Sequence, residues 1–135
     1  RLGIDIRARK GKSPEDVAAI AEAEMGAPVD CSLIDGWHTD VAQRADFEAV
    51  KSVAGSDCVY LFHDVINLLL ADGFAAIARE NPQLISSLLF RTTSGMAISY
   101  PETLDGALGP IVRAFTEPDD RVRALWQEGR AHREN

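Results

Sequence analysis

Two short apolar runs, Val29-Asp30-Cys31-Ser32-Leu33-Ile34 and Cys58-Val59-Tyr60-Leu61-Phe62, constrain this chain more than anything else in it. Each is the length of a strand and rich enough in branched or aromatic residues to lie buried in a sheet. Each also stops at reactive side chains. The first runs into Asp35-Gly36-Trp37-His38 and the second into His63-Asp64. In open parallel sheets, ligands sit just beyond the carboxyl ends of the strands. Two strands that end in this way predict one site assembled from both ends.

The segments around these runs alternate between strand and helix signals. Residues 4–8 read as a short strand, entered from a helix end at Arg1-Leu2-Gly3 and left through a basic turn at Lys10-Gly11. A helix then starts at Ser13-Pro14-Glu15-Asp16, where Ser13 can cap, Pro14 suits the first helical position and Asp16 can answer the cap. Val17, Ile20, Ala21 and Met25 fall on its inner face, and Gly26 closes it. A second helix spans residues 40–53, with Val41, Phe47, Val50 and Val53 inward. A third spans 65–80 and ends at Asn81-Pro82, although Gly73 inside it costs roughly 1 kcal/mol against alanine. Residues 85–91 and 96–100, joined by Thr92-Thr93-Ser94-Gly95, read as a β-hairpin. Two helices, over 101–115 and 118–130, complete the chain. The sum is an α/β fold: a Rossmann-like, mostly parallel sheet with a terminal antiparallel hairpin that supplies an edge strand.

Composition narrows the classes of partner. The 135 residues suffice for one domain, and 46% are hydrophobic, enough for a core. Acidic residues outnumber basic ones, 21 to 14, for a net charge of −7. That balance opposes a nucleic-acid surface, which needs clustered Lys and Arg. Arg7, Arg9, Lys10 and Lys12 are a local exception that reads as a solvated strand end or loop. Cys31 and Cys58 both fall in the apolar runs and are expected as small buried thiols, with no disulfide. No apolar stretch is long enough to span a membrane and no charged-then-apolar leader opens the chain, so a cytoplasmic protein without a membrane partner is expected.

Neighbouring strands lie roughly 4.8 Å apart, so adjacent strands would project Asp35 and Asp64 into one small volume. Two carboxylates that close either raise one another's pKa or hold a cation between them. A hard ion such as Mg²⁺ takes one or two carboxylates and completes its shell with water and substrate oxygens. A nitrogen from His63 would shift the preference toward Mn²⁺, Fe²⁺ or Zn²⁺. His38, at the mouth of the same cleft, can take a proton from a substrate hydroxyl at neutral pH. Plainer roles stand beside these. Asp35-Gly36 can be a simple turn, His38 a residue of a helix start, and Asp64 the cap of the next helix. Trp37 is either a lid over the site or a packed surface aromatic.

Asp35-Gly36-Trp37-His38-Thr39, then Val41, Arg44 and Asp46-Phe47, and finally Leu61-Phe62-His63-Asp64, resemble the class I S-adenosylmethionine-dependent methyltransferases. The nearest subgroup is the family-24 type, which typically reads D-G-D-H-S-Y, then a helix with an Asp, then a strand ending in H-D or D-D. The resemblance covers about residues 4 to 100. Related metal-dependent sugar O-methyltransferases use D-G-x-H and a later acidic pair. Carried over by position, it implies Asp35 and Asp64 as metal ligands, His63 as a further ligand, and His38 with Asp35 as the catalytic pair. It implies S-adenosylmethionine as cofactor, with contacts at Gly11, Lys12, Ser13, Asp35 and Gly36, and Mg²⁺ or another divalent metal.

The departures also matter. Trp37 stands where the family often has Asp, Asp40 where it often has Tyr, and Lys12 where an acid is usual. No strand followed by a G-x-G-type loop occurs in the chain, although glycine there lets backbone approach a cofactor. Aligned to the family, residues 1–135 are the C-terminal portion of one methyltransferase-like domain, without its first two strands. The family's first strand lies beside the strand ending at Ile34. That edge is therefore expected to be covered by a missing N-terminal segment or by a second copy in a homo-oligomer.

Three functions follow as expectations. The first is transfer of a methyl group to an oxygen of a small molecule or sugar, assisted by a divalent metal. The second is a non-catalytic, truncated methyltransferase-like module used in assembly. The third is an unrelated metal-dependent hydrolase that uses Asp35, His38, His63 and Asp64.

Overall fold

The two apolar runs do become neighbouring strands that run in the same direction. The computed structural model of the chain describes residues 5–118, 120, 121, 123, 124, 127, 128 and 131. Along it stand α1 (Val17–Met25), β1 (Val29–Ile34), α2 (Asp40–Lys51), β2 (Ala54–Phe62), α3 (Ala71–Glu80), β3 (Leu84–Leu89) and β4 (Met96–Pro101). After a 3₁₀ turn (Glu102–Leu104) comes α4 (Asp105–Phe115). The expected helix over 118–130 lies partly outside the described residues, and the helix end at residues 1–3 lies wholly outside them.

The architecture is α/β, but the sheet is mixed instead of mostly parallel. Its four strands lie in the order β1-β2-β4-β3. β1 and β2 are parallel, with Ile34 beside Phe62. β4 is antiparallel to both β2 and β3. The hairpin therefore does not simply add an antiparallel edge. The crossover through α3 sets β3 two strand positions away from β2, and the chain turns back to fill the gap with β4. Hairpin register runs from Leu84 beside Pro101 to Leu89 beside Met96.

Side-chain alternation along β2 divides the interior in two. Cys58, Tyr60 and Phe62 join Phe47 of α2 and Phe74 and Ile77 of α3 in one buried cluster. Val59 and Leu61 face the other side, where Leu89, Ile98, Tyr100 and Val112 of α4 are packed. Cys31 and Leu33 of β1 share that second face, being in register with Val59 and Leu61. Among the described residues no element packs over them: Leu33 is 58% exposed and Cys31 is an exposed free thiol. Cys31 is thus not the buried residue expected, while Cys58 is buried. Among the described residues β1 pairs with β2 alone, so its outer edge is free.

Several local expectations are corrected by tertiary contacts. Residues 5–8 form no strand; Arg7 and Arg9 instead reach Glu24 of α1, Arg9 at 2.6 Å. Ser13 does not cap α1. Its hydroxyl donates to Asp46 Oδ1 at 2.5 Å, and the helix starts only at Val17. Met25 is exposed and not part of an inner face. Thr39 caps α2 by accepting from the Ala42 N–H, and the helix ends at Lys51. Val41 points to solvent, because the sheet-facing stripe runs through Gln43, Asp46, Phe47 and Val50. The third helix begins at Ala71, not near residue 65. Asp64 and Leu69 hold positive φ angles of 55° and 63°, which no helix accommodates.

Gly73 shows why a glycine can sit inside a helix. Its N–H donates to Asp40 Oδ1 at 3.0 Å, and a Cβ there would meet that oxygen at 2.8 Å and the Asp40 Cα at 3.0 Å. Gly73→Ala should therefore destabilise the protein by about 1–3 kcal/mol through overpacking, despite the helix propensity of alanine. Urea denaturation measures this; a gain in stability would mean that α2 and α3 are not in close contact there.

Both tyrosines titrate late. Burial first, then the Cys58 thiol, pushes the Tyr60 phenol up to about 12. Burial, then its hydrogen bond to Asp105 at 2.9 Å, does the same for Tyr100. A folded-state pKa above the unfolded value means that the native state binds more protons between about pH 10 and 12. Stability from these groups is complete below pH 10 and falls as pH rises through that window. Tyrosinate absorbance and circular dichroism should change together there, as the fold is lost.

Candidate functional site

The parallel ladder does not stop at the strand ends. The N–H of His63 donates to the carbonyl of Ile34 at 3.0 Å, one residue beyond the last strand pair. This bond sets Asp35, just after β1, beside His63 and Asp64, just after β2. Gly36 then turns the first chain away toward the Thr39 cap. The left-handed conformation of Asp64, which Asp tolerates better than most residues, turns the second.

Four side chains consequently surround one small space. His63 Nδ1 lies 3.3 Å from Asp35 Oδ1 and 3.3 Å from Asp64 Oδ2. His38 Nε2 lies 3.5 Å and 3.7 Å from the same two oxygens. These groups do not satisfy one another: His63 Nδ1 is a buried nitrogen without a hydrogen-bond partner. Ligand atoms of Asp35, His63 and Asp64 all lie within 4.8 Å of one another. On an octahedral ion with bonds of about 2.1 Å, adjacent ligands lie roughly 3 Å apart. The unpartnered nitrogen between two carboxylate oxygens therefore fits a divalent cation in donor type and in spacing. Asp35 and His38 remain well exposed, so the space between the four side chains is open to solvent.

The residues singled out for the cofactor are only partly brought together. Ser13 reaches the same neighbourhood through Asp46, a buried carboxylate of α2 that accepts its hydroxyl. Gly36 leans on the same carboxylate, since a Cβ there would collide with Asp46 Oδ2. Its lack of a side chain thus serves contact with Asp46. Gly11 packs against Ile20 and Asp16 of the turn into α1, and Lys12 pairs with exposed Glu15 at 2.6 Å. That pairing holds the Glu15 carboxyl below, and the Lys12 amine above, their usual ranges. Trp37 is 80% exposed, so it is not a packed aromatic. A separate groove of about 640 Å³ runs between α1, β1 and residues 5–9, away from the strand ends, with Arg7 and Arg9 already paired.

Sequence reasoning missed two polar residues of the site, Gln43 as a whole and Asp46 except as part of a motif. Both are buried on the sheet-facing side of α2. The available signal was spacing: Gln43 precedes Phe47 by four residues and so must share its face. No helix among the described residues is long and apolar enough to cross a membrane. Compared with protein-family models, curated proteins and solved structures, the chain matches none.

Proposed function

We propose that the chain forms the C-terminal part of a class I, Rossmann-like S-adenosylmethionine-dependent methyltransferase that methylates an oxygen of a small molecule or sugar. One observation carries this reading: the parallel ends of β1 and β2 gather Asp35, His63 and Asp64 around one point, with His38 at its mouth. The free outer edge of β1 lends support, because the family's first strand lies there. So does the junction of Ser13, Asp46 and Gly36, which ties the loop expected near the adenine to the turn beside the reacting groups.

Asp35, His63 and Asp64 would hold a divalent cation, whose chemistry is to orient the acceptor hydroxyl and make its proton more acidic. His38 receives that proton on Nε2, while the two carboxylates that face this nitrogen stabilise the imidazolium formed. S-adenosylmethionine would supply the methyl group to the acceptor oxygen, its sulfur leaving as a neutral thioether. The rigid strand ends contribute mostly by alignment, since an in-line transfer gains from reactants held at near-attack distance. The free thiols of Cys31 and Cys58 suit a reducing compartment such as the cytoplasm.

The alternative reading is a non-catalytic methyltransferase-like module used in assembly. Transfer of labelled methyl from S-adenosylmethionine, tested with the natural full-length protein and its Asp35→Asn variant, decides between them. Turnover by the wild type that disappears in D35N is expected. Full activity in D35N overturns the assignment, and absence of S-adenosylmethionine binding at millimolar ligand favours the module.

A further inference from the structure

On the sheet-facing side of α2 the sequence places Gln43 where an apolar residue would pack. The residue is only 4% exposed, and its Oε1 is a buried acceptor without a hydrogen-bond partner. Such an atom is costly to leave unsatisfied, so its persistence needs a reason. Gln43 lines a small cavity with His63, Asp35 and Asp46. His63 Nδ1 is the other unpartnered atom there. The cavity measures about 10 Å³, the space of roughly one water molecule. The orphaned oxygen calls for a donor.

We propose that Gln43 is a positioning residue of the cation site, its Oε1 accepting a hydrogen bond from one water that fills this cavity and ligates the cation beside Asp35 and His63. This rests on the cation site described above. Water can do both tasks at once, donating a hydrogen bond to Gln43 Oε1 and directing a lone pair at the metal. Partners that orient metal ligands from outside the coordination sphere commonly change affinity by about 10- to 100-fold when removed.

Titration of the chain with Mn²⁺ alone, by calorimetry and by water-proton relaxation, tests the assignment in the wild type, Gln43→Leu and Gln43→Glu. Q43L should bind Mn²⁺ about 10- to 100-fold more weakly, with fewer ordered water ligands and no loss of folded structure. Q43E keeps an acceptor oxygen in place and should stay near the wild-type affinity. Should Q43L fail to fold, Gln43→Met, which is unbranched and similar in volume, takes its place. Wild-type affinity and water count in Q43L overturn the role of Gln43 while the cation site stands. Equal weakening in Q43L and Q43E also overturns it. If the wild type binds no Mn²⁺ at millimolar concentration, the cation site fails and the role of Gln43 fails with it.

Discussion

Asp64→Asn should weaken Mn²⁺ binding by about 100-fold or more while leaving the denaturation midpoint close to wild type. Losing a partner outside the coordination sphere already costs about 10- to 100-fold, and Asp64 would be a direct ligand. Its Oδ2 lies 3.3 Å from His63 Nδ1 and 3.7 Å from His38 Nε2, so it borders the central point from two sides. The substitution removes the charge but keeps the shape. It also respects the backbone, because Asn accepts the left-handed conformation at φ 55° as readily as Asp. Calorimetric titration of D64N against the wild type measures the effect. Unchanged affinity would mean that the cation binds elsewhere, and a shared loss of stability would mean that Asp64 is structural.

Phe47→Ala should cost about 3–5 kcal/mol of stability. Phe47 is fully buried at the centre of the larger cluster. Its ring meets Tyr60 edge-on at 5.0 Å between centroids and Phe62 at 5.9 Å, and Phe62 meets Phe74 at 5.2 Å. Edge-to-face pairs contribute beyond their buried area, and truncation would leave a cavity bounded by three rigid elements. A domain of this size has about 5–15 kcal/mol in total, so F47A should be partly unfolded at moderate urea. The effect reaches the site as well. Phe47 adjoins Asp46 and lies one turn from Gln43, so Mn²⁺ affinity should fall along with stability. A loss below about 1 kcal/mol would show that α2 is not packed on the sheet as described.

The residues of the candidate site are largely readable in the sequence. Val29–Ile34 and the run ending at Phe62 announce themselves as strands because each is short, largely apolar and rich in branched or aromatic residues, and Asp35, His38, His63 and Asp64 follow closely. The hairpin was readable for an equally local reason, a turn cluster at residues 92–95 between two apolar runs. Such features depend on neighbours in sequence, and the sequence carries that information.

Other features depend on residues far apart, and only the tertiary structure decided them. Ser13 looks like a helix cap by local rules, yet its partner is Asp46, 33 residues away. Cys31 looks buried as part of an apolar run, yet it is exposed, since no described helix covers that face of β1. The run from residue 65 looks helical, but Asp64 and Leu69 turn left-handed, delaying α3 to Ala71. The position of β4 between β2 and β3 follows from how far the α3 crossover carries the chain, which no periodicity encodes. By itself the sequence determined which segments are apolar, where they stop and which reactive groups stand there. Folding in three dimensions decided which ends meet, which polar atoms are left unpaired between them, and which strand edge stays open, because these depend on packing across the sheet and not along the chain.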